Sequence, residues 1–130
     1  MRTINDTKPT TLELMNLHNE WSEKYHTEKD GTIIFQNKKQ LSNIRFDNHS
    51  FHALTKNSRG AENLPECLMN PDEIWAKWGN KEQTIVLRNY LLFGENITYI
   101  CQTKDGVFTD GFGVTPSQVD KYRKGLILLR

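Results

Sequence analysis

Three consecutive segments, "QTIVLRNYLLF" (83–93), "NITYICQT" (96–103) and "GVFTDGFGV" (106–114), limit the folds open to this chain more than anything else in it. Each is rich in Val, Ile, Thr, Tyr and Phe, the residues that fit a pleated, half-buried surface. The links between them, Gly94–Glu95 and Lys104 to Gly106, have the chemistry of tight hairpin turns. Strands joined so closely run antiparallel, so the C-terminal half is predicted to be a meander. "TPSQVDKYRKG" then offers Thr115 as a cap, Pro116 at a first helical position and Gly125 past the end, followed by a last strand, "LILLR".

The first half reads differently. Leu14, Leu17, Trp21 and Tyr25 recur at helical spacing behind a threonine cap, which predicts an amphipathic helix from about Leu12 to Tyr25. "DGTIIFQN" suggests a brief strand or an extended segment near Thr32 to Gln36, and "NKKQLSNIRF" is ambiguous. Asp47 or Asn48 caps a second helix through Lys56, and a third is expected around Leu64 to Met69. Asn70, Pro71, Asp72 and Glu73 read as a short helical turn with its acids at the positive end, leaving Ile74, Trp75 and Trp78 to face the core. The expected fold is α+β, with N-terminal helices packed on one face of a four-stranded antiparallel sheet. Residues 1–45 are expected to be an N-terminal helix and extension, and 46–130 the functional domain, the two forming one compact unit.

Composition excludes some functions. The chain has 130 residues and a net charge of +1, so affinity for nucleic acid must come from a local patch rather than from bulk charge. Cys67 and Cys101 are isolated and read as buried free thiols. The opening segment lacks the apolar centre of a signal peptide, and no apolar run approaches the ~20 residues of a membrane span, so a segment that makes no membrane contact is expected.

The chemistry-bearing residues are concentrated in two places. His49, His52 and Lys56 share one face of the second helix by their three- and four-residue spacing. No helical glutamate or third ligand stands at a metal-site spacing, so no metal or other cofactor is expected. No glycine-flanked serine elbow is present either. Cleaving RNA without a metal requires a base for the 2′-hydroxyl, an acid for the leaving 5′-oxygen and cations for the charge growing on phosphorus. Histidine and lysine supply those roles. The plain alternative is a pair of ordinary helix-surface histidines. In the second half, Arg88, Tyr90, Tyr99 and Thr109, with Arg123 and Lys124 before the last strand, are expected on the sheet face opposite the helices, where they would hold a phosphate and stack a base. A merely solvated sheet face would carry the same residue types.

"LPECLMNPDEIW" (64–75), preceded by a histidine-bearing helix and followed by a meander and the ending "YRKGLILLR", resembles the phage-associated branch of the nuclease superfamily named for barnase, EndoU, colicin and RelE. The resemblance covers about residues 46–130. It implies one or two helices on a four-stranded sheet, with RNA cut on the open face without a metal. Matched by position, it implies His49 or His52, Arg88 and Thr109 as catalytic residues, with Arg123 and Lys124 on the substrate. Lys56, Tyr90 and Tyr99 are the further substrate-binding candidates. The function so expected is a metal-independent endoribonuclease acting by transphosphorylation, of the kind deployed as a toxin or phage effector. The alternative is a catalytically inactive domain of a phage or mobile-element particle that binds nucleic acid or protein. RNA, whether tRNA or rRNA, and a cognate immunity protein are the expected partners. The expected site of action is the cytoplasm, with delivery as part of a larger secreted or phage protein.

Overall fold

The computed structural model describes residues 8–38, 43–77, 79–92 and 95–129, with the side chains of 80–82, 87, 90–92 and 95 outside that description. In chain order the elements are α1 (Thr11–Lys24), β1 (Ile33–Gln36), β2 (Asn43–Phe46), α2 (Asn48–Lys56), a 3-10 turn at Ala61–Asn63, α3 (Leu64–Met69), β3 (Glu73–Lys77), β4 (Asn80–Leu92), β5 (Glu95–Lys104), β6 (Val107–Val114), α4 (Pro116–Val119) and β7 (Leu126–Leu129). Among the described residues no helix is long and apolar enough to cross a membrane.

The α+β class holds, but the sheet is larger than the expected four strands. Seven strands pair in the order β1-β2-β6-β5-β4-β3-β7. Two departures from the sequence-based expectation account for the difference. The ambiguous "NIRF" is β2; it pairs antiparallel with β1 and joins the meander in parallel, through Arg45 opposite Val107. The backbone N–H of Arg45 donates to the Gly106 carbonyl at 2.7 Å across that seam. The second departure is "EIWAK", which was expected to start in a helical turn and is β3. It lies between β4 and β7, so Ile74 and Trp75 point to opposite faces and both are buried. A strand covered on both faces shows no alternation of apolar and polar residues, which is why its short apolar run is compatible with a helix on paper. The Asp72 carboxylate accepts from the Asn89 N–H at 2.7 Å and fixes where β3 begins beside β4. Trp78 and Gly94 lie outside the described residues.

Local chemistry explains most of the remaining elements. Thr10 and Glu13 cap α1 reciprocally, as Asp47 and Ser50 do for α2. Asp105 (φ 54°) and Gly106 (φ 76°) both take the left-handed conformation that a two-residue hairpin needs between β5 and β6.

The sheet carries a core on each face. On one face lie α1, α2 and α3, burying Leu14, Trp21, Leu54, Leu64 and Leu68 against Phe35, Phe46, Tyr99, Cys101 and Phe108. Trp21 meets Phe46 edge-on at 5.7 Å, and Phe46 meets Phe108 at 5.2 Å, so α1 and the β1–β2 hairpin share one aromatic core with the meander. Both cysteines are free and buried there, and burial pushes the Cys101 thiol pKa up. On the other face, among the described residues, α4 and the turn after it cover part of the sheet, through Val119 and Tyr122 against Trp75, Ile100, Phe112 and Val114. No other described helix lies on that face.

Candidate functional site

The open part of the second face is a groove of about 470 Å³ lined by Lys77, Gln83, Thr84, Ile85, Gln102 and Lys124. Strand register builds it. Trp75, Ile85, Gln102 and Asp110 stand opposite one another on β3, β4, β5 and β6, forming one row across the sheet. At the usual strand spacing this row is about 14 Å long. Gln83 stands opposite Lys104 in the next row. Ile85 gives the groove an apolar floor beside Trp75, and the lysines and glutamines rise around it.

Of the polar groups in the groove, Thr84 shares a hydrogen bond with Thr103, and the longer side chains are unengaged among the described residues. The side chains of Lys77, Gln83, Gln102 and Lys124 make no hydrogen bond or ion pair among the described residues. Several cations elsewhere are committed: Arg45 pairs with Glu28 at 2.6 Å, Arg88 with Glu66 at 3.4 Å, and Arg123 with Glu73 at 2.7 Å. A site for a polyanion needs cations free to receive it, and this groove has them.

Asp110 sits at the end of the row, where β6 carries a bulge opposite Gln102–Thr103. Bulges re-aim side chains, and this one leaves Asp110 half-buried on the strand. One carboxylate oxygen accepts from the Gly111 N–H at 2.9 Å. The other has no partner among the described residues. Partial burial raises the Asp110 pKa from its ordinary value, against the smaller lowering effect of the Gly111 N–H.

Next to the groove, Glu73 gathers three donors. Arg123 approaches it in a fork, with Nε at 3.0 Å and Nη2 at 2.7 Å, and Trp75 Nε1 donates at 3.0 Å. Arg123 also donates to Asp120 at 3.0 Å, and its carboxylate partners raise its pKa. The arrangement anchors the turn that carries Lys124 to β3.

The expected site residues therefore divide. His49, His52 and Lys56 do share one side of α2, and it is the exposed side; Ser50 and Leu54 hold the opposite side against the sheet, with Ser50 Oγ donating to the Phe108 carbonyl at 2.7 Å. This puts both histidines on the outer surface of the helix layer, across the sheet from Arg123 and Lys124. Arg88 faces the helices rather than the open side: its guanidinium donates to the Asn70 carbonyl and, at 3.5 Å, to that of Glu66, capping the C-terminal end of α3. Tyr99, opposite Arg88 in the ladder, is 0% exposed and belongs to the aromatic core, so its ring is closed to a base. The register puts Arg88 and Tyr99 on the helix side of the sheet, whereas their polarity suggested the open side. Thr109 is exposed in the bulge, where its hydroxyl donates to the Gln102 carbonyl at 3.0 Å. Tyr90 pairs with Ile97 in the ladder, and its side chain lies outside the described residues. Arg123, Lys124 and Thr109 are thus the expected residues found near the groove. Lys77, Gln83, Gln102 and Asp110 were not anticipated; for two of them, Gln83 and Gln102, the signal available was a polar residue two positions from Ile85 or Ile100 in a strand otherwise rich in apolar side chains.

The Tyr99 hydroxyl is buried without a hydrogen-bond partner among the described residues. Tyr99→Phe is expected to leave stability unchanged or raise it by about 1 kcal/mol, because it removes an unsatisfied buried group. Thermal denaturation checks this, and a clear loss of stability would show that the hydroxyl is satisfied.

Among the described residues no three His, Cys, Asp or Glu side chains gather as a metal site. Residues 10–130 match the family model described as phage-Barnase-EndoU-ColicinE5/D-RelE like nuclease2. The match takes in α1 and the β1–β2 hairpin, well beyond the stretch from residue 46 that carried the sequence resemblance. No curated protein and no solved structure matches the chain.

Proposed function

The chain belongs to the phage-Barnase-EndoU-ColicinE5/D-RelE like nuclease2 family, and from that premise we propose that it is an endoribonuclease cutting by transphosphorylation, without a metal, on the open half of its sheet. The observation that carries this reading is the groove in which two lysines and two glutamines have no side-chain partner among the described residues.

In this reading Lys77 and Lys124 bind the phosphates of a single RNA strand, with Lys104 at the rim. Asp110, through its free oxygen, takes the proton of a ribose 2′-hydroxyl. The 2′-oxygen attacks phosphorus, the bond to the 5′-oxygen breaks, and that oxygen takes a proton from a lysine ammonium of the groove. The products are a 2′,3′-cyclic phosphate and a 5′-hydroxyl. Ammonium groups held beside a low-dielectric floor stabilise the charge that grows on the phosphoryl oxygens. Arg123, occupied by Glu73 and Asp120, is a positioning residue for Lys124. His49, His52 and Lys56 take no part in the reaction.

Total tRNA incubated with the purified chain in EDTA tests this directly. The wild type is expected to cleave it, Lys77→Ala/Lys124→Ala to cleave about 10²-fold more slowly, and His49→Ala/His52→Ala to retain nearly full activity, all three with similar melting temperatures. Loss of cleavage in the histidine variant with retention in the lysine variant would move the active surface to the outside of α2. Intact RNA with folded wild type would leave the alternative of a binding domain without chemistry.

A further inference from the structure

Resting on the proposal that RNA lies in the groove, we infer that Gln83 and Gln102 form a base-reading subsite selective for adenine. Gln83 is two residues before Ile85 on β4, Gln102 stands opposite Ile85 on β5, and Lys104 stands opposite Gln83. The two glutamines are therefore diagonal neighbours on one face, about 7–8 Å apart, a separation that brackets the edge of one base. Both are half-buried, and neither amide has a partner among the described residues; only the backbone carbonyl of Gln102 is used, by Thr109. The apolar floor made by Ile85, with Trp75 beside it, suits the flat face of an unstacked base. A cavity of about 470 Å³ has room for one nucleotide and not for a duplex.

Amide chemistry selects the base. A glutamine presents a donor and an acceptor side by side, and adenine matches this pair through its 6-amino group and a neighbouring ring nitrogen. Guanine presents two acceptors on one edge and two donors on the other, which suit a cation or a carboxylate better. The lysines of the groove sit on long flexible stems at its rim, placed for phosphates. Uracil and cytosine are smaller and cover less of the Ile85 floor.

Binding of UUNUU pentamers with 2′-O-methyl riboses tests the subsite separately from cleavage, because these oligomers lack the attacking hydroxyl. Fluorescence anisotropy on the intact chain is expected to give about tenfold tighter binding for N = A than for C, G or U. Gln83→Ala and Gln102→Ala should each reduce that preference to about twofold by weakening only the adenine oligomer. Equal wild-type affinities, or variants that weaken all four oligomers alike, would overturn the base-reading role. A guanine preference would overturn the adenine assignment and move base reading to the lysines. If Lys77→Ala/Lys124→Ala leaves all four affinities unchanged, the groove itself is not where RNA binds, and the failure belongs to the functional proposal.

Discussion

Asp110→Asn is expected to slow RNA cleavage by about 10³-fold while slightly raising the melting temperature at neutral pH. The first effect follows from its proposed role, since asparagine cannot accept the 2′-hydroxyl proton. The second follows from burial. Desolvation raises the Asp110 pKa in the folded chain. Between the ordinary carboxylate pKa of about 3.9 and the raised folded value, the native state holds a proton that the unfolded chain has released. Stability contributed by this group is therefore greatest at low pH and is lost as pH rises through that window, leaving the charged carboxylate a liability above it. Asparagine removes the liability, so the variant's stability should fall less with rising pH. Wild-type cleavage should rise with pH through the same window as the base loses its proton. Melting curves across pH, paired with initial rates on tRNA in EDTA, check both halves. A variant that cuts within tenfold of the wild type would remove Asp110 from the chemistry, whatever its stability.

Gly125→Ala is expected to cost about 3 kcal/mol or more. Gly125 has φ +106°, a conformation that side-chain-bearing residues rarely adopt, and a Cβ built there would lie 2.0 Å from the Ala76 carbonyl oxygen and 3.0 Å from its carbon. The obstacle is backbone near the end of β3, where Ala76 is paired with Thr84 of β4 on one side and Leu126 of β7 on the other. Relief requires β7 to move away from β3, and Lys124 is the residue just before Gly125. The variant should therefore lose cleavage as well as stability, even at temperatures where most of the chain is folded. Urea denaturation measures the first and tRNA cleavage the second. A loss of under about 1 kcal/mol would mean that the turn before β7 reroutes without strain.

Much of the fold was legible because it is written in local chemistry. Thr10, Asp47 and Thr115 cap helices where threonine and aspartate caps predict them, and Asp105–Gly106 turns the hairpin its residue types require. What failed depended on distant partners. The attachment of β2 to β6 joins Arg45 to Val107, and nothing local to "NIRF" signals a strand so far along the chain. β3 was hidden because it is covered on both faces. The facing of two strand residues was misread for a related reason: an arginine and a tyrosine in strands look like surface residues, whereas Arg88 donates to the carbonyl end of α3 and Tyr99 fills the core. The resemblance identified the family, and of the residues it matched by position Arg88 is the one used here to hold a helix. Gln83 and Gln102 drew no notice because a glutamine becomes informative only when its neighbours across the strands are known.

The seam between β3 and β7 also bears on when the molecule becomes active. Lys77 ends β3 and Lys124 precedes β7, so the two ammonium groups share a groove only once the antiparallel pairing of Ile74, Trp75 and Ala76 with Leu129, Ile127 and Leu126 has formed. If the groove acts on RNA as proposed, a chain in which β7 has not paired with β3 would keep its aromatic core and yet lack the cleft that its two lysines complete.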